Sequence, residues 1–119
     1  MNENLYVVIP AYNEEENIIS VVEEWHEKLV KLPSRGGGVK LLIVDDGSKD
    51  STYKILKELS LTRKLLIPIT KKNGGHGSAV LEGYRYAIEN GADYIFQTDS
   101  DGQTLASEFE SFWELTMTQ

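Results

Sequence analysis

Four short runs of apolar, β-prone residues recur along the chain, and a stretch of helical character follows each one. The runs are LYVVIP at 5 to 10, VKLLIV at 39 to 44, KLLIPIT at 64 to 70 and DYIFQT at 93 to 98. A continuous apolar run of this length suits a strand buried on both faces, as in a parallel sheet covered by helices. After the first run, Ile18, Val22, Trp25, Leu29 and Leu32 fall at steps of three and four and form one helical stripe. Asn13 is the expected N-cap of that helix, with Glu14, Glu15 and Glu16 at its dipole-favoured start. Residues 51 to 60 suggest a shorter helix with Tyr53, Leu56 and Leu59 inward. The helix opening at the glycines of 74 to 77 should run to Asn90, stop at Gly91, and turn Val80, Leu81, Tyr84, Ala87 and Ile88 inward. A last helix is expected at 107 to 116, and Pro68 puts the third run on a sheet edge. Strand and helix alternating four times imply an α/β fold: a Rossmann-like, doubly wound parallel sheet with right-handed crossovers, one domain over residues 1 to 119.

In such a sheet ligands sit beyond the carboxyl ends of the strands. The unusual polar residues collect there: AYNEE after the first run, DDGS after the second, KKNGGHG after the third and DSDGQ after the fourth. Two of these segments add paired acids to a chain whose 19 acidic against 12 basic residues already give a formal charge of −7. Crowding like charges costs energy, so a cation is expected among them. The acidic balance, with no long Lys/Arg cluster, argues against a nucleic-acid partner. With no cysteine, disulfides and thiolate metal sites are excluded, and a reducing compartment is permitted. The N-terminus has no signal-type pattern, and no segment approaches the roughly 18 apolar residues of a membrane span. The expected location is cytoplasmic, with membrane association open for a longer protein.

Asp99 and Asp101 lie two apart on an extended segment, so their side chains leave on one side and can converge on a hard divalent cation. Mg2+ or Mn2+ suits such oxygens and keeps positions for phosphate oxygens, and Gln103 could add a carbonyl. The alternative is a helix-capping DSDG turn. Asp45 and Asp46 are adjacent and must diverge: one can face the cleft and accept from a base N–H while the other braces loops, or both can be capping and solvated acids. The glycines of KKNGGHGSA let backbone approach a ligand, the helix start attracts phosphate, and Lys71 or Lys72 could add charge. His76 reads as a polar loop residue, and His26 as a solvated residue on the outer face of the first helix. Pro10 ends its strand so that Tyr12 and Glu14 enter the cleft, where Tyr12 either flanks a nucleobase or packs half-buried.

Taken in order, VVIPAYNEEENI, LLIVDDGSKDST and NGGHGSAVLEGYRYAIENGADYIFQTDSDGQ resemble the nucleotide-sugar-binding half of family-2 glycosyltransferases with the GT-A fold. The resemblance covers residues 5 to 105. The D-x-D-x-Q form of Asp99, Asp101 and Gln103 is most similar to the branch of dolichyl-phosphate mannosyltransferase and polyprenyl-phosphate glucosyltransferases. It implies a strand order of 3-2-1-4, with Pro10, Tyr12 and Glu14 lining the nucleoside pocket and Asp45 or Asp46 on the base. It also implies that Lys72, Gly75, Gly77 and Ala79 lie near the ribose and diphosphate. Asp99 and Ser100 would face the donor, and Asp99, Asp101 and Gln103 would hold Mg2+ or Mn2+. Ala106 stands where the family often has proline.

The implied activity is transfer of a sugar from UDP or GDP to a polyprenyl phosphate or a glycan. Domains of the family are usually about twice as long, so the chain is read as the N-terminal half of a catalytic domain, expected not to transfer sugar alone. A non-catalytic nucleotide-binding module is the alternative. A dinucleotide-dependent dehydrogenase is disfavoured, because PAYNEEEN stands where its glycine fingerprint would be. A receiver domain is disfavoured too, its acidic pair following the first strand. If the fourth strand is an open edge, a homo-oligomer that hides it is expected.

Overall fold

The computed structural model describes residues 4 to 32 and 38 to 100. It contains β1 (Leu5–Ala11), α1 (Ile18–Val30), β2 (Val39–Asp45), α2 (Thr52–Ser60), β3 (Leu66–Thr70), α3 (His76–Glu89) and β4 (Tyr94–Gln97). All strand pairs are parallel and the sheet order is β3-β2-β1-β4, the order that the family resemblance implies. Val7 sits opposite both Leu41 and Phe96, and Leu41 opposite Leu66, so residues in register present one face across the whole sheet. Leu5, Val7, Ile9, Leu41 and Ile43 turn to α1 and α2, while Tyr6, Val8, Leu42 and Val44 turn to α3. This two-sided cover is why the strands are apolar without alternation, and why every residue of β1 is buried. Pro68 lies in edge strand β3, where its missing N–H interrupts no ladder on the open side. At the other side, Phe96 of β4 packs on Trp25 of α1 with ring centroids 6.1 Å apart.

Several local expectations change. Asn13 does not cap α1; the helix starts four residues after the expected acidic run begins, behind Asn17 and a turn whose Glu14 carbonyl accepts from the N–H groups of Asn17 and Ile18. In α3 the inward stripe is Ala79, Gly83 and Ala87, and Leu81 and Ile88 are 64% and 66% exposed. The reason is close packing at the middle of that face: a Cβ on Gly83 would overlap Val8 Cγ1 and stand 3.3 Å from Val44 Cγ2, while Tyr86 packs on Tyr6 to one side, ring centroids 6.4 Å apart. Tyr53 is half-buried beneath Lys57 Nζ and is not part of the inner face of α2, whose buried residues are Thr52 and Leu56. His26 is half-buried, and its Nε2 accepts from Leu65 N–H at 3.3 Å. Burial, aided by the charges of Arg63 and Lys64, holds its pKa below the ordinary histidine value against the pull of Glu23. The helix expected at 107 to 116 lies outside the described residues.

Candidate functional site

The loops after β1 and β2 are tied to each other before any ligand is considered. Asn13 takes φ 52°, a left-handed conformation that asparagine tolerates, and bridges the two loops. Its Oδ1 accepts from Lys49 N–H at 2.9 Å and its N–H donates to Ser48 Oγ at 2.8 Å. One residue on, Glu14 N–H donates to Thr52 Oγ1 at 2.8 Å, and that buried hydroxyl donates to Asp50 Oδ1 at 2.5 Å. Asp50 also accepts from Thr52 N–H at the start of α2 and from Glu15 N–H. Burial would raise its pKa, but these donors outweigh it and hold the carboxyl below its ordinary value.

Asp45 and Asp46 diverge as neighbours on a strand must, and both are nearly inaccessible, at 2% and 3% exposure. Asp45 braces: it accepts from Thr70 Oγ1 at 2.7 Å and from Ser48 N–H, joining the ends of β2 and β3. Asp46 holds the glycine loop. Its Oδ1 accepts from Lys71 Nζ at 3.1 Å and Gly74 N–H at 3.0 Å, and its Oδ2 from Gly75 N–H at 2.9 Å and Asn73 Nδ2 at 3.3 Å. Burial pushes the Asp46 carboxyl up, yet the Gly74 N–H, the Lys71 ammonium and the Gly75 N–H together leave its pKa lowered. Gly47, at φ 68°, lets the turn pass beneath this loop, since a Cβ there would stand 2.6 Å from the Asn73 backbone nitrogen.

Above these anchors a cleft of about 440 Å³ opens at the carboxyl edge of the sheet, within the size range of small-molecule sites. Its lining brings together Pro10, Tyr12, Glu14, Asp46, Gly75, Ala79, Asp99 and Ser100, residues drawn from all four strand ends. Asp45, Lys72 and Gly77 are not on its wall: Asp45 lies in the brace, and Lys72 and Gly77 are exposed beside the loop. Ser100 Oγ donates to Glu14 Oε1 at 3.2 Å, closing the cleft between the first and last loops. Asn73 and His76 line the cleft as well, and Lys71, not Lys72, is the lysine turned inward. Neither Asn73 nor His76 carries a strong signal in the sequence; the one mark of both is a place on either side of a glycine pair that opens a helix.

Asp99 lines the same cleft but differs from Asp46 in exposure and in the donors it meets. Its side chain is 55% exposed; its Oδ1 accepts from Gln97 Nε2 at 3.2 Å and lies 2.8 Å from His76 Nε2. A cleft-facing carboxylate with a second donor atom beside it fits a divalent cation. Asp101 and Gln103 lie outside the described residues, and among the described residues no group of three metal-binding side chains occurs. No helix among them is long and apolar enough to cross a membrane.

Comparison with known proteins adds the following. Residues 6–116 match the family described as Glycosyl transferase family 2. The chain is 37% identical to the UDP-N-acetylglucosamine–dolichyl-phosphate N-acetylglucosaminyltransferase of Methanococcus voltae, over 83% of this chain and 41% of that protein. It is 31% identical to the polyprenol monophosphomannose synthase of Mycolicibacterium smegmatis, over 86% of this chain and 37% of that one. The chain therefore spans about two fifths of the length of these relatives. Its fold matches that of a mannosyltransferase from Pyrobaculum calidifontis solved with GDP-Man and Mn2+, with a TM-score of 0.62, 21% identity, and coverage of 85% of this chain and 28% of that one.

Proposed function

The chain belongs to glycosyl transferase family 2, and from that premise we propose that its cleft binds the nucleoside diphosphate of a UDP- or GDP-sugar with Mg2+ or Mn2+, for transfer of the sugar to a polyprenyl phosphate. The observation that carries this reading is the convergence of Tyr12, the Asp46-anchored glycine loop and Asp99 around one cleft at the carboxyl edge of the sheet. Tyr12, 42% exposed, offers a ring for the base to lie against. Gly75 at the N-cap of α3 brings backbone close to the place a diphosphate would take, where the helix dipole favours anions. Asp99, with Asp101 and Gln103, is assigned to the cation. When bound, that cation neutralises the diphosphate and stabilises it as the leaving group.

The acceptor assignment draws on the two lipid-phosphate relatives. A polyprenyl phosphate is already anionic, so its oxygen needs little general-base help, unlike a sugar hydroxyl. Calorimetric titration of UDP and GDP, each with Mn2+ and with a chelator, tests the donor reading. Metal-dependent affinity that disappears in Asp101→Asn, with the fold intact by circular dichroism, is expected. Equal nucleotide affinity with metal and with chelator sinks it.

A further inference from the structure

We propose that His76 is itself a ligand of the cation, and that its imidazole biases the site toward Mn2+ over Mg2+. This rests on the metal-dependent reading of the cleft and assigns a ligand from the glycine loop, outside the D-x-D segment. Ring nitrogen Nε2 of His76 and Oδ1 of Asp99 are 2.8 Å apart. Two donors bound to one ion at about 2.1 Å and roughly a right angle stand about 3 Å apart. An ion can therefore replace the hydrogen bond between them with a shift of a few tenths of an ångström, as Nε2 gives up the proton it shares with Asp99 and the neutral ring takes the tautomer with its proton on Nδ1.

The backbone beside His76 is also fixed in advance. Gly74 N–H and Gly75 N–H are both held by the buried Asp46 carboxylate, and His76 opens a helix of fourteen residues. Asp99 has a supporting partner of its own, since Gln97 Nε2 donates to the same oxygen that faces His76. That is the outer hydrogen bond that orients a metal-binding carboxylate. Mn2+, although it also takes oxygen ligands, accepts an imidazole nitrogen more readily than Mg2+, which keeps its waters and demands near-ideal octahedral oxygen geometry, so the consequence is selectivity as well as affinity.

The test measures Mn2+ and Mg2+ binding by calorimetry without nucleotide, and pulsed electron paramagnetic resonance of the Mn2+ complex for nitrogen coupling. The unaltered protein should show imidazole nitrogen modulation. His76→Ala should lose it, with Mn2+ affinity falling about tenfold and Mg2+ affinity changing less than about twofold. His76→Gln keeps a hydrogen-bond donor for Asp99 and an amide oxygen but no ring nitrogen, and should lose both the nitrogen coupling and the preference for Mn2+ over Mg2+. An unchanged preference for Mn2+ over Mg2+ in His76→Gln would mean that the imidazole does not set the selectivity, and overturns the proposal. Mn2+ binding by the unaltered protein without nitrogen coupling overturns it as well, while leaving the metal-dependent reading intact. Absence of Mn2+ binding in the unaltered protein without nucleotide overturns the proposal, and the nucleotide titrations with Mn2+ and with chelator decide the metal-dependent reading separately.

Discussion

The carboxyl ends of β2 and β4 each carry an aspartate into the same cleft, and the two ends are built in opposite ways. At β2, Asp46 is 3% exposed and receives hydrogen bonds from Lys71, Asn73, Gly74 and Gly75, while its neighbour Asp45 clasps Thr70 and Ser48. At β4, Asp99 is half exposed, its partners are the side chains of Gln97 and His76, and the buried Thr98 hydroxyl beside it has no hydrogen-bond partner among the described residues. The first end spends its charge on building the cleft wall. The second keeps its charge available. Asp46 and Asp99, alike in sequence context, thus divide into a buried structural anchor and an exposed cleft-facing group, and burial with donor count is what separates them.

The largest effect should come from removing the anchor. Asp46→Ala leaves an ammonium, two backbone N–H groups and an amide without their shared acceptor, which should cost about 3 kcal/mol or more in a urea denaturation experiment. The same carboxylate should give the protein an acid limb. Its folded-state pKa lies below the unfolded value of about 3.9. The unfolded chain therefore binds the proton more readily, so the stabilisation is complete above the unfolded value and drains away as pH falls through the folded one. A loss under about 1 kcal/mol in Asp46→Ala would mean that the β2 end is no more structural than the β4 end.

Gly47→Ala should follow, at about 2 kcal/mol, because the substitution combines a left-handed backbone with a Cβ 2.6 Å from the Asn73 nitrogen. Displacing Asn73 also moves one wall of the cleft, so weaker nucleotide binding should accompany the thermal shift. Normal nucleotide affinity in a destabilised Gly47→Ala protein would separate the turn from the site. The smallest effect on folding belongs to Asp99→Asn, expected within about 0.5 kcal/mol of the parent in the same denaturation series, while metal-dependent nucleotide affinity is lost. A large stability loss there would erase the contrast between the two ends.

Much of the scaffold was legible. The four apolar runs became the four strands, Pro68 took an edge, and the polar clusters met at one end, because a parallel sheet puts every βα loop on the same side. Other details escaped for reasons that are local and physical. Leu81 and Ile88 have the hydrophobicity of core residues, yet α3 buries Ala79, Gly83 and Ala87 instead, and at Gly83 it lies too close to Val8 and Val44 for even a Cβ. Asn13 has the chemistry of a helix cap, yet its partners are Ser48 and Lys49, thirty-five residues and more away. His26 carries no signal in its own helix, since Leu65 supplies the N–H that makes its position favourable.

The sequence by itself determined the alternation of elements, the two-sided burial of the strands and the family, all of which follow from residue pattern along a short stretch or from the order of motifs. Only the tertiary structure decided which of two adjacent aspartates braces the sheet ends and which holds the glycine loop, which lysine turns inward, and that His76 meets Asp99. Those outcomes depend on which donors arrive from segments more than twenty residues distant. A carboxylate's role is set by the donors and the solvent around it, and neither is encoded by its neighbours in the chain.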